Sequence, residues 1–87
     1  MTAVAVDLGT HADALDLMRM LDRFHPWTVK LAREHWVVLV RSDERERVDA
    51  ALALVSQWAN EHGVPPLACR TGEDELVLRS VAAVARQ

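Results

Sequence analysis

The stretch His35-Trp36-Val37-Val38-Leu39-Val40 decides the fold. Side chains alternate across a strand, so Trp36, Val38 and Val40 share one face while Val37 and Leu39 take the other. A strand covered on one side needs only one apolar set. This one carries both, which places it at the centre of a sheet with something over each face. In a chain of 87 residues, little is left to supply the second cover. It has to come from another part of the chain, a second copy, a partner or a ligand.

Before this strand, Thr2–Leu8 alternates, with Val4, Val6 and Leu8 on one face and Ala3, Ala5 and Asp7 on the other. Gly9 breaks the pattern, and Thr10 with Asp13 three residues on reads as an N-cap. Residues 11–24 then change period. Ala14, Leu17, Met18, Leu21 and Phe24 recur at helical spacing, and Pro26 ends the helix by forcing the preceding residue out of helical geometry. Thr28–Ala32 alternates again, with Arg33 and Glu34 as the turn of a hairpin into the central strand. Trp27 and Trp36 fall on its two arms as expected cross-strand neighbours.

After it, Asp43 with Glu46 reads as the capped start of a long helix. Val48, Ala51, Leu52, Val55, Ala59 and His62 lie on one face of it through residue 62, and Gly63 is its stop. Val64-Pro65-Pro66 is a stiff connector to a short strand, Leu67–Arg70. In the tail, Thr71 with Asp74 resembles a cap, and Val77, Val81 and Val84 have helical spacing. A helix is favoured there over a second strand at Leu76–Arg79.

The order strand-helix-strand-strand-helix-strand predicts one domain over residues 1–87 in the α+β class. Its pattern is a ferredoxin-like βαββαβ two-layer sandwich with a four-stranded antiparallel sheet and one extra C-terminal element. In that architecture the sheet face away from the two helices is open. Ala3 and Ala5 face that side together with one set of the third strand, either Trp36, Val38 and Val40 or Val37 and Leu39. With the first set, Ala3, Ala5, Trp36, Val38 and Val40 are the expected partner-binding residues, because a small monomer rarely leaves such a face bare.

Composition bounds the function. Hydrophobic residues are 51% and charged residues 26%, a globular balance. The net charge of −3 lacks the basic excess with which nucleic-acid binders neutralise phosphates, so nucleic acid is not an expected partner. Arg41, Arg45 and Arg47 cluster, yet Asp43, Glu44 and Glu46 interleave and are expected to pair with them. No stretch reaches the roughly 18–20 apolar residues of a membrane helix. One cysteine forms no internal disulfide, which suits a reducing cytoplasm, and no signal peptide is read at the start.

No catalytic constellation is legible. Cys69 lacks a base beside it and reads as a buried structural thiol. His11, His25, His35 and His62 lack metal-ligand spacing, although the hairpin offers His25 and His35 a route to one edge. No metal, cofactor or enzymatic activity is expected. The leading expectation is a non-enzymatic module that self-associates as a homodimer, or docks a protein partner, through the apolar sheet face or an edge strand.

Asp7-Leu8-Gly9-Thr10 leading into Ala14-Leu15 resembles the first strand–helix turn of ACT amino-acid-binding domains, over residues 7–15. The resemblance implies a regulatory domain that senses a small molecule. Asp7, Gly9 and Thr10 are its ligand-binding candidates, where a helix start presents backbone N–H groups.

Overall fold

The computed structural model describes residues 1–63 and 65–85; Val64, where the expected connector begins, and residues 86–87 lie outside the described residues. The elements are β1 (Thr2–Leu8), α1 (His11–Met20), a short 3₁₀ turn (Asp22–Phe24), β2 (Trp27–Ala32), β3 (His35–Ser42), α2 (Arg45–His62), β4 (Ala68–Glu73) and α3 (Asp74–Ala85). The four strands form one antiparallel sheet in the order β2-β3-β1-β4.

Strands β1 and β3 are central, as their double apolar pattern requires, and the register sorts their side chains. Val4 lies opposite Val40, Val6 opposite Val38 and Leu8 opposite Trp36. This set packs with Leu17, Leu21, Phe24, Val48, Val55 and Trp58 beneath α1 and α2. Ala5 lies opposite Leu39 and Asp7 opposite Val37 on the other face. There Ala3, Ala5, Val37 and Leu39 pack with Val77 and Val81 of α3. The expected two-layer sandwich is thereby corrected to three layers, with the sheet between α1/α2 and α3.

The local signals explain most boundaries. Thr10 Oγ1 accepts the Asp13 N–H at 3.1 Å, the expected cap of α1. That helix stops at Met20, short of the expected residue 24, and the chain tightens into the 3₁₀ turn. His25, which precedes Pro26, then takes a left-handed backbone at φ 53°. Asp43 does not cap α2; it lies one residue before the cap position, and Ser42 Oγ instead accepts the Glu44 N–H at 3.1 Å. Gly63 ends α2 in the left-handed region at φ 70°, donating its N–H to the Ala59 carbonyl.

The hairpin turns at Arg33–Glu34 with a bulge between Lys30 and Ala32. Trp27 sits opposite Leu39 and Trp36 opposite Lys30, so the two tryptophans are not cross-strand neighbours. Strand β4 begins one residue later than expected and runs on to Glu73, because its backbone stays paired with β1 as far as Thr2. Thr71 is therefore a ladder residue opposite Val4 rather than a helix cap. Helix α3 follows without an intervening loop, as the spacing of Val77, Val81 and Val84 predicts.

Candidate functional site

The five expected contact residues do not form one surface. Ala3 and Ala5 lie beneath α3, while Trp36, Val38 and Val40 face α1 and α2. Ala3, Ala5, Val38 and Val40 are buried within the single chain and Trp36 is half-buried. The ring of Trp36 is covered by His11, stacked at 4.1 Å, and by the Lys30 ammonium at 5.4 Å. A residue opposite its neighbour across a ladder shares its face, so Ala3 and Ala5 could only have joined Val37 and Leu39.

What α3 leaves uncovered is the margin of that face. Strand β2 forms one edge of the sheet. Its residues Trp27 and Val29 point to the α3 side, yet are 55% and 39% exposed. Leu31 next along is half-buried, packed on the second core beside Leu78. The Arg41 guanidinium stands over Trp27 at 5.6 Å and is anchored by a two-pronged ion pair to Asp74. Those hydrogen bonds raise the Arg41 pKa above its ordinary value. The result is an apolar strip beside unpaired strand backbone.

Beneath α3 lies a polar cluster that no local spacing announces. Asp7 is 1% exposed, on the face lined otherwise by alanine, valine and leucine. Its Oδ2 accepts from His35 Nε2 at 2.7 Å and from Arg70 Nη2 at 2.6 Å. Arg70 Nη1 also donates to Ser80 Oγ at 3.0 Å, and that hydroxyl donates to the Val77 carbonyl. Asp7 Oδ1 is buried with no partner among the described residues. The network ties β1, β3, β4 and α3 together. Of the ligand candidates Asp7, Gly9 and Thr10, Asp7 is buried with its Oδ2 engaged by the network, and the Thr10 hydroxyl is occupied by its own helix.

A second cluster joins α1 to α2. Asp16 Oδ2 accepts from Trp58 Nε1 at 3.0 Å and from His62 Nε2 at 2.6 Å. His62 Nδ1 faces the Trp58 carbonyl at 2.9 Å, so both ring nitrogens meet acceptors and the doubly protonated ring fits best. The Trp58 hydrogen bond lowers the Asp16 pKa below 3.8, against partial desolvation and with help from His62. The bond to the Trp58 carbonyl raises the His62 pKa above 6.5, with Asp16 adding to it. A raised histidine stabilises the fold fully below its unfolded value and loses that contribution as pH rises through its folded value. A lowered aspartate contributes above its unfolded value and loses it as pH falls through its folded value. The stability difference between the native protein and His62→Gln should therefore be largest near about pH 5 and shrink by about pH 8, in urea melts across pH.

The remaining candidates separate. Cys69 is exposed on edge strand β4, a correction to its expected burial. Partial desolvation and the Asp7 charge still push its pKa up, which disfavours the thiolate. His25 lies toward the Leu39 end of the hairpin and His35 at its turn end. Among the described residues, no group of three or more His, Cys, Asp or Glu is placed to hold a metal. Among the same residues, Asp43, Glu44 and Glu46 form no ion pair with the arginines: Arg41 binds Asp74, and Arg47 donates to the Arg23 carbonyl at 3.2 Å. No described helix is long and apolar enough to cross a membrane. No protein-family model matches the chain, and a search of curated proteins finds no relative.

Proposed function

We propose that this chain is a non-enzymatic association module of ferredoxin-like topology, elaborated by α3, that pairs with a second copy of itself along β2. The observation that carries the reading is the exposure of Trp27 and Val29 beside an open strand edge. Natural sheets blunt such edges with charge, proline or a covering element. Here Lys30 is the one charged residue of the strand, and it leans over Trp36 on the opposite face.

Two copies of β2 are self-complementary when antiparallel. Centred on Val29, the pairing brings Trp27 of each copy beside Leu31 of the other and joins two four-stranded sheets into one. The other edge suits this less well, because β4 presents Arg70 and Glu73 among its six residues. A single exposed cysteine is compatible with a reducing cytoplasm as the compartment.

Light scattering across a concentration series tests the proposal. The expected result is a mass that rises to twice the chain mass, with Val29→Lys held at the monomer and melting within about 0.5 kcal/mol of the parent, as exposed substitutions do. A monomer at every concentration, or a dimer indifferent to Val29→Lys, overturns it.

A further inference from the structure

At the end of the sheet where β1 starts, a cleft of about 300 Å³ opens between the α1–β2 corner and the start of α2. Met1, Phe24, His25, Trp27, Leu39, Arg41 and Arg47 line it, and no acidic side chain does so among the described residues. Asp22 faces a neighbouring hollow on one side, and Glu44 and Glu46 face another beyond Arg47. The cleft therefore combines an exposed indole and an aliphatic floor with two guanidinium groups and an imidazole.

Two details set it apart from an ordinary surface depression. Arg47 is positioned by its bond to the Arg23 carbonyl and stands over Phe24 at 5.3 Å, but no carboxylate pairs with it among the described residues. Among the described residues its remaining donors have no partner, and it lies in the first turn of α2, where the helix dipole adds positive potential. The second detail is His25, the one described non-glycine residue with a left-handed backbone, at φ 53° and ψ 58°. Glycine would adopt that conformation without strain; a histidine held there puts an imidazole on the cleft wall.

We propose that this cleft binds a small aromatic oxyanion, a single planar ring bearing a carboxylate or a phosphate. The ring lies against Trp27 and Leu39, and the oxyanion sits between Arg47 and His25. Arg41, already committed to Asp74, contributes charge at the rim. Arg47 and His25 lie outside β2, but Trp27 belongs to both readings, so pairing along β2 and binding in the cleft compete for the indole.

An NMR titration of the intact protein tests it, with the Trp27 indole N–H signal assigned through Trp27→Phe. Benzoate and phenyl phosphate are the probes, with benzamide and acetate as the uncharged and ring-less controls. Benzoate or phenyl phosphate is expected to shift the Trp27 signal and leave that of buried Trp58 in place. The stronger of the two identifies the carboxylate or phosphate source. Both controls should bind at least about tenfold more weakly, and Arg47→Gln should cost about tenfold or more, the size of a lost charge-assisted hydrogen bond. His25→Gly should keep or raise the melting temperature while weakening binding. Binding of benzamide equal to that of benzoate, affinity unchanged in Arg47→Gln, or a Trp27 signal indifferent to both probes overturns the proposal. Val29→Lys, which blocks pairing and leaves the cleft intact, should bind at least as tightly as the parent, because a second copy never covers its Trp27. Binding is therefore read on this variant and pairing on the parent, and the two readings fail separately.

Discussion

Arg70→Met should destabilise the protein by about 3 kcal/mol, measured by urea unfolding near neutral pH. The methionine keeps most of the aliphatic bulk but removes both guanidinium bonds, one to Asp7 and one to Ser80. Asp7 would stay in the interior with His35 as its remaining partner and one oxygen already unsatisfied. A buried carboxylate stripped of its cation costs far more than the ion pair itself is worth. The comparison that isolates this is the double variant Asp7→Leu with Arg70→Met. Removing both charges should recover much of the loss, because an apolar pair of similar size has nothing to desolvate. A single variant as stable as the parent would show that the network contributes nothing to the fold.

Val81→Asp should act on the same layer from the other side, with a loss of 3 kcal/mol or more. Val81 is 7% exposed and packs among Val77, Val37, Leu39 and the alanines of β1. A carboxylate there has no cation designed to meet it, and the cheapest escape is for α3 to lift from the sheet. Hydrogen exchange distinguishes this from global unfolding. The amides of α3 should lose protection while α1 and α2 keep theirs, and the uncovered face should bind a hydrophobic dye and promote assembly. Uniform loss of protection across all elements would show instead that α3 and the sheet fold as one unit.

How far the sequence could be read follows from how local each signal is. The helix of residues 45–62, the strand at Thr2–Leu8 and the glycine stop at Gly63 were all legible, since each rests on periodicity or on one residue's backbone preference. The last residues of β4 were not. Thr71, Gly72 and Glu73 have no apolar alternation, and it is hydrogen bonding to β1, about seventy positions earlier, that holds them extended. The face taken by Trp36 was illegible for a related reason. With both sides of β3 apolar, only the pairing with β1 sorts them, and that register is a tertiary fact.

The polar cluster under α3 joins positions 7, 35, 70 and 80, with no short spacing to betray it. One sign was available. Asp7 ends the small-residue face Ala3-Ala5-Asp7 of a strand that is otherwise apolar after Thr2, and a charge on a two-sided buried strand needs a partner brought from elsewhere. The hairpin position of Trp27 is legible in the sequence but its exposure is not, because that depends on how far across the sheet α3 reaches.

Helix α3 follows β4 at the very next residue, Asp74 after Glu73. A cover tethered so closely is held at an effective concentration in the millimolar range or above. Any free protein that sought the same sheet face at micromolar levels would face about a thousandfold handicap before a single contact was compared. The inner face is thus reserved thermodynamically for α3, and any molecule seeking this side of the sheet would find open only the margin that the helix does not reach.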